Sequence, residues 1–301
     1  MASNHTAPAD FPPPVDPQAE FIKREIDAED ECIDVGVAIV GGGTAGLAAA
    51  NRLLQLLADD PELLEQLGEV PVAVIEKSKT CGGHNLSGAV MRPGPLQELY
   101  PDLSREDWRT EGFAFGEVTK ESVYALPNGS KSIPIPPPPP MNNHGNEVIS
   151  VSALARFQQA KAEEAGAYVL TETSAMQLLV EDGRVKGVRT GDKGRGKEGE
   201  ELPNFEPGAD ITAKFTVLAD GCWGHLTGPA IREFDLAKDA EPQTWELGVK
   251  EIWKVAKPLE RVIHTVGPWP AKLSTKYGQV GGGWIYPMKD EKTGDDLVSI
   301  G

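Results

Sequence analysis

The chain has 301 residues, and its 40% hydrophobic and 25% charged residues are globular values that allow one large or two ordinary domains. Acidic residues outnumber basic ones 46 to 29, a formal charge of −17 that repels polyanions and argues against nucleic acid as a partner. Cys32, Cys81 and Cys222 stand far apart with no CxxC pair, which excludes a disulfide framework and a cysteine-rich metal site and points to a reducing compartment.

No apolar stretch has the length needed to cross a bilayer. MASNHTAPADFPPPVDPQAEFIKREIDAEDE lacks both the apolar core of a signal peptide and the basic character of a transit sequence. Residues 1–31 are therefore expected to form a disordered tail, and the chain to be cytoplasmic or peripheral on the cytoplasmic membrane.

Ordered structure is expected from Cys32. IDVGVAIV is a β-branched apolar run of the kind buried on both faces of a parallel sheet; GGGTAG and the apolar helix LAAANRLLQLL follow. DDPELLEQLGE adds a helical turn or two, and VPVAVIEKS supplies a second buried strand, completing a βαβ unit. Residues 95–149 are mixed and end in IPIPPPPPMNNHGN, where five prolines in the extended polyproline form precede a polar phrase. SALARFQQAKAEEAGA reads as a helix stopped at Gly166, and YVLTETSAMQLLVEDGRVKGVRT as strands with a tight EDGR hairpin turn. Residues 191–210 are polar and glycine-rich, a surface loop, and ITAKFTVLADG is a further strand. From about Glu233 onward the pattern is β-rich, and the closing DDLVSIG reads as a strand.

Gly41, Gly43 and Gly46 spell G-x-G-x-x-G between a buried strand and a helix, the context in which this pattern binds a dinucleotide. The first glycine permits the turn, the second admits a pyrophosphate to the backbone and the third lets helix and strand pack, while the helix N-terminus offers free N–H groups. Glu76 ends the second strand, where an acid accepts hydrogen bonds from a ribose diol; the intervening helical extension explains a spacing beyond the usual ~20 residues. The small-residue loop KSKTCGGHNLSGAV beyond Glu76, and TVLADGCWG with Asp220 later, resemble the corresponding pieces of two-dinucleotide-binding-domain flavoproteins, a likeness that favours FAD over NAD. His84 lies in the loop expected beside the flavin, whereas His144, His225 and His264 are read as hydrogen-bonding loop residues. Trp245, Trp253, Trp269 and Trp284 are read as packing residues.

PMNNHGN (140–146), EPQTWELGVKEIW (241–253), HTVGPWP (264–270), GGGWIY (281–286) and HNLSGAV (84–90) occur in an order that resembles the electron-transfer flavoprotein-ubiquinone oxidoreductase family, over residue 35 to the last residue. The resemblance implies an α/β, Rossmann-type FAD-binding domain of the two-dinucleotide-binding-domain, glutathione-reductase-like type, interleaved with a β-rich quinone-side domain. Within this frame residues 32–94 and 150–228 are expected to form the FAD-binding domain, and 95–149 and 229–301 the quinone side. It implies FAD and a 4Fe-4S cluster as cofactors, and electron-transfer flavoprotein, ubiquinone and a membrane surface as partners. The family's fingerprint falls on Val37, Ala38, Ile39, Val40, Gly41, Gly42, Gly43, Thr44, Ala45, Gly46, Leu47, Ala48, Ala49, Ala50 and Asn51, its ribose acid on Glu76, and its quinone glycines on Gly281 and Gly282.

No general acid, base or metal ligand is named, since single-electron transfer needs no hydride donor. In the family the segment before MNNHGN is an apolar loop on the membrane; here prolines replace much of it, with Ile133, Ile135 and Met141 as remaining anchors. A 4Fe-4S cluster needs four thiolates and the chain has three cysteines, so it is expected to be the N-terminal part of a larger protein, with LVSIG leaving an exposed sheet edge. The alternatives are a two-electron FAD-dependent reductase or hydroxylase of the geranylgeranyl-reductase kind, and a non-catalytic FAD-binding remnant.

Overall fold

The computed structural model describes residues 17–28, 32–86, 88–241, 243, 245–267, 281–290 and 292–301. The chain opens with α1 (Pro17–Phe21) and β1 (Ile22–Lys23), then β2 (Ile33–Val40) and α2 (Thr44–Ala58). In α3 (Pro61–Gln66) the Asp60 side chain accepts the Leu63 N–H and Pro61 fills the first turn, a local start signal that realises the expected extension. β3 (Val72–Ile75), β4 (Ala89–Met91) and α4 (Gly94–Leu99) follow. α5 (Arg105–Thr110) begins with a reciprocal Ser104–Asp107 capping box.

Next come β5 (Ala114–Glu117), β6 (Glu121–Asn128), β7 (Lys131–Ile135), β8 (Glu147–Ile149) and α6 (Val151–Glu164). Gly166, at φ +97°, closes α6 as a left-handed C-terminal residue. β9 (Tyr168–Leu170), β10 (Ala175–Glu181) and β11 (Arg184–Thr190) follow, the last two joined through Asp182 and Gly183, both at positive φ as a two-residue hairpin requires. Residues 191–210, expected as an irregular loop, contain a second hairpin of β12 (Lys193–Arg195) and β13 (Glu201–Glu206), where the Arg195 guanidinium lies 4.7 Å above the Phe205 ring. β14 (Asp210–Leu218), α7 (Thr227–Glu233), β15 (Glu251–Lys254), β16 (Val262–Val266), β17 (Gly282–Lys289) and β18 (Asp296–Ile300) complete the path.

The chain divides into two interleaved units, residues 1–83 with 158–242 and residues 84–157 with 243–301. The crossings expected at 94/95, 149/150 and 228/229 fall instead at 83/84, 157/158 and 242/243. The shift has visible causes: β4 pairs with β8 rather than with the β2–β3 sheet, and α7 packs into the first unit through Leu226 and Ala230.

The first unit holds a seven-stranded sheet in the order β1-β10-β11-β14-β2-β3-β9, in which β14, β2, β3 and β9 run parallel. Its core joins Val35, Ala38, Val40, Ala73, Ile75, Leu178, Val188, Ile211 and Leu226. The second unit has a six-stranded sheet, β15-β18-β17-β16-β6-β7, and a three-stranded sheet, β4-β8-β5. Trp108 and Phe113, both fully buried, anchor the core beside that smaller sheet. β18 is paired on both sides, so the exposed edges are β15 and β7 rather than LVSIG.

Residues 17–28 also correct an expectation. They do not form a tail: β1 pairs parallel with β10, Ile22 is 5% exposed within the core, and the Asp27 N–H donates to Asp210. The Asp210 carboxylate is fully buried and accepts hydrogen bonds from Lys23 Nζ at 2.7 Å and Arg189 Nη1 at 3.1 Å; Asp27 bridges the same two cations. A buried carboxylate is tolerable only with such pairing, and that need draws the segment onto the sheet. Residues 1–16 and 29–31 lie outside the described residues.

Asp210→Ala leaves two cations without their buried partner and should cost about 3 kcal/mol or more, read as a lower midpoint in urea at unchanged m-value. The Lys23 hydrogen bond holds the Asp27 carboxyl below its ordinary pKa, against the opposing effect of desolvation. Its stabilisation is therefore present above the unfolded carboxylate pKa and is lost as pH falls through the folded value. Urea midpoints should accordingly drop on acidification in wild type and less so in Asp27→Asn.

Candidate functional site

The parallel register aligns the ends of three strands. Leu218 pairs with Val40, and Val40 with Ile75, so the residues that leave these strands, Asp220, Gly41 and Glu76, emerge along one edge of the sheet. This carboxyl edge is where open α/β sheets bind ligands.

Gly41 takes φ +108°, and a Cβ there would stand 2.3 Å from the Ala219 carbonyl oxygen. A Cβ on Gly46 would stand 2.1 Å from the Gly41 oxygen and 3.2 Å from the Ile39 side chain, so helix and strand meet only without one. Gly43 is the N-terminal cap of α2 with extended backbone and no side-chain hydrogen bond to the first turn. Gly43 thus offers the first-turn N–H groups of α2 no side-chain acceptor, and the dipole of a 15-residue helix backs them. Such a helix start offers hydrogen-bond donors and a positive dipole end to an anion. Glu76 is 7% exposed; its Oε2 accepts the Gly42 N–H at 2.7 Å and its Oε1 the Ser78 N–H at 2.8 Å. Charge-assisted bonds from two backbone donors fix the carboxylate beside the glycine turn.

Other fingerprint positions serve as support. Val37, Ala38, Ile39, Val40, Leu47 and Ala50 are buried core residues. Asn51 is buried too, and its amide donates to Leu47 O and Gln158 O at 2.8 Å each, tying α2 to α6. Thr44 and Ala48 are half-buried, and Ala45 and Ala49 exposed. The Asp220 carboxylate accepts the Leu226 and Thr227 N–H groups and the Thr227 hydroxyl, holding the loop that leads into α7.

Gly42 does more than the G-x-G-x-x-G pattern assigns. A Cβ on it would meet Cys81 Sγ at 2.5 Å and Glu76 Cβ at 3.0 Å, and its carbonyl accepts the Gly82 N–H. The 77–83 loop therefore folds back on the glycine turn, a long-range contact with no local sequence signal. Burial, and then the Glu76 charge, push the Cys81 thiol up to about 12.

His84, Gly281 and Gly282 belong to the second unit. His84 is exposed. The Gly281 carbonyl accepts the Gly267 N–H, and no described residue lies within 4 Å of where a Cβ on Gly281 would be; a Cβ on Gly282 would meet the Thr265 carbonyl oxygen at 2.4 Å. On the neighbouring strands His264 Nε2 lies 2.7 Å from the Tyr286 hydroxyl. Burial lowers the His264 pKa against a smaller opposing effect of Glu121, and raises that of Tyr286 to about 12. Residues 268–270 of HTVGPWP, Trp269 among them, Ser87 of HNLSGAV, and Pro242 and Thr244 of EPQT lie outside the described residues.

MNNHGN forms a turn bonded partly within itself and partly to neighbouring elements. The Asn143 amide donates to Met141 O, the His144 N–H to Asn142 Oδ1 and the Gly145 N–H to Val118 O, with Gly145 at φ +84°. The prolines before it are largely exposed, beside the sheet edge formed by β7. Among the described residues no helix is long and apolar enough to cross a membrane, and no group of three or more metal-ligating side chains occurs.

The fold is mixed α/β, and solved structures share it. A Thermoplasma acidophilum geranylgeranyl bacteriochlorophyll reductase-like protein superposes with a TM-score of 0.50 at 20% identity, over 89% of this chain and 56% of that one. A myxobacterial chondrochloren halogenase, described as a variant of FAD-dependent halogenases, superposes with a TM-score of 0.52 at 15% identity, over 89% and 52%. No protein-family model matches the chain. Among curated proteins it is 38% identical to the Bos taurus mitochondrial electron transfer flavoprotein-ubiquinone oxidoreductase, over 97% of this chain and 44% of that protein. The Homo sapiens protein of the same name is 36% identical over the same shares, 97% and 44%. A protein of Acinetobacter baylyi named probable electron transfer flavoprotein-ubiquinone oxidoreductase is 38% identical over 89% and 46%. Over nearly its whole length the chain is thus similar to part of these proteins, at 36% to 38% identity. It spans less than half the length of these relatives.

Thiol chemistry checks the site geometry. With its pKa about 12, Cys81 holds only a trace of thiolate at pH 8, whereas Cys222 is exposed. Iodoacetamide should alkylate Cys222 in minutes and Cys81 only after unfolding, as read by peptide mass spectrometry.

Proposed function

We propose that this chain binds FAD at the Gly41–Gly46 turn and serves electron transfer from reduced electron-transfer flavoprotein to ubiquinone. The observation that carries the reading is the Glu76 carboxylate, fixed by the Gly42 and Ser78 N–H groups beside the uncapped N-terminus of a 15-residue helix. Bound FAD would supply the reversible one- and two-electron chemistry. The first-turn amides of α2 would hold its diphosphate and Glu76 its ribose hydroxyls, with Gly41 and Gly43 keeping side chains out of the way. Asp220 orders the loop that returns to this edge.

Gly281 is the better candidate for backbone contact with a quinone ring, because it has no described neighbour within 4 Å of its Cβ position, while Gly282 is committed to its strand pair. Ile133 and the exposed prolines would be the face turned toward lipid. Three separated cysteines, one of them buried and held as a thiol, do not fit a 4Fe-4S cluster, so no step is drawn through one.

Titrating FAD into the 301-residue chain, with flavin fluorescence as readout, tests the reading. Wild type should bind, and Glu76→Ala should bind at least about tenfold more weakly, as loss of a charge-assisted hydrogen bond predicts. Equal affinities in folded protein would remove Glu76 from the site. A two-electron reductase would instead show bleaching of the bound flavin by NAD(P)H without air.

The glycine pair gives a separate check with a short-chain ubiquinone. Gly281→Leu should weaken quinone binding about tenfold while leaving FAD affinity and melting temperature unchanged. Gly282→Leu should instead lower the melting temperature, because its side chain meets the Thr265 backbone. Unchanged quinone affinity in Gly281→Leu would exclude that glycine.

A further inference from the structure

The N-terminal segment touches more than the edge of the sheet. The Phe21 ring meets the His225 ring edge-on at 4.7 Å between centroids, and Arg24 Nη2 lies 2.8 Å from Glu233 Oε1. His225 closely precedes, and Glu233 ends, α7 (Thr227–Glu233), so the segment grips this helix at both ends. Between the two grips Ile22 packs into the same core as Leu226 and Ala230. On its other side Lys23, Asp27 and the buried Asp210 lock the segment to β14.

The start of α7 is also what holds Asp220. Both Asp220 oxygens are engaged there, by Leu226 N–H at 2.8 Å and by the Thr227 N–H and hydroxyl. Asp220 in turn sits against the glycine turn: a Cβ on Gly41 would lie 2.3 Å from Ala219 O and 3.2 Å from Asp220 Cα, and the Ala219 N–H donates to Val40 O. A continuous set of contacts therefore runs from Phe21 and Arg24 through α7 and Asp220 to Gly41.

We propose that residues 20–27 form a strap that positions the dinucleotide site, clamping α7 so that Asp220 seats the Gly41 turn. Phe21 and Arg24 are then positioning residues that act through Asp220 and touch no ligand. The FAD-binding arm of the test rests on the reading given under Proposed function; the amide-exchange arm does not.

The double variant Phe21→Ala/Arg24→Ala keeps Ile22 and the Lys23–Asp210 pair, so the sheet and its core remain. Hydrogen exchange by NMR on the full chain should show the Leu226 and Thr227 amides exchanging at least about tenfold faster in this variant, with the β2 and β3 amides unchanged, as a local opening requires. FAD affinity should fall about fivefold. Combined with Asp220→Asn, the two strap substitutions should add less than about twofold to the loss caused by Asp220→Asn alone, because the route is already cut. Exchange at Leu226 and Thr227 within about twofold of wild type overturns the strap. So does a strap effect on FAD affinity that adds in full to that of Asp220→Asn. If wild type binds no FAD, the assignment of the cofactor fails, and the exchange measurement alone decides the strap.

Discussion

The carbonyl oxygen of Gly41 lies 2.1 Å from where a Cβ of residue 46 would be, and that of Ala219 lies 2.3 Å from where a Cβ of residue 41 would be. Backbone meets backbone at both points, and no other residue type permits it. Because β2 can turn this sharply into α2, the helix N-terminus points along the carboxyl edge of the sheet. Because β14 can return this closely, the Asp220 loop shares that edge. The parallel register of β14, β2 and β3 then brings Glu76 alongside. One steric constraint thus places a helix dipole, a fixed carboxylate and a returning loop within one site.

The parts of this arrangement that were legible in the sequence are those set by local rules. A β-branched run, three spaced glycines and an apolar helix specify the βαβ unit, and an acid closing the next strand specifies Glu76. Gly166 and the EDGR turn were legible because left-handed backbone leaves a residue signature. What was not legible depends on distant partners. Gly42 sits at an x position of the motif, and its demand for no side chain comes from Cys81 and Glu76, more than thirty residues away.

The N-terminal segment was hidden for the same reason. PQAEFIKREIDAEDE carries a high density of charge and few apolar residues, which reads as a solvated tail. The order of residues 17–28 comes from the buried Ile22, the Phe21 ring against His225, and a carboxylate some 190 residues later that is fully buried and requires cations. Composition cannot announce an interaction whose driving partner is a buried Asp210 elsewhere in the chain. Unit boundaries slipped by 8 to 14 residues on similar grounds, because β4 and α7 are assigned by what they pack against.

Motifs that distinguish a family need not touch its ligands, and the second unit illustrates the difference. MNNHGN stood out as a polar phrase after a proline rod, yet the Asn143 amide and the His144 N–H bond within the turn, while the Gly145 N–H reaches Val118 O and the Asn143 N–H reaches Glu121 on β6. The Arg105 guanidinium adds a bond to Gly145 O and approaches the buried Glu147, which Arg109 pairs in bidentate fashion. That polar capacity is structural: it terminates the edge hairpin and anchors it to α5. The GGGWIY glycines divide in the same way. Gly282 is required by the Thr265 carbonyl across the strand pair and would be glycine in a protein that bound nothing. Gly281 instead accepts the Gly267 N–H through its carbonyl, at the end of the same strand pair. The pair is therefore separable by packing: a side chain at 282 meets the Thr265 backbone, whereas one at 281 meets no described residue beyond its chain neighbours within 4 Å.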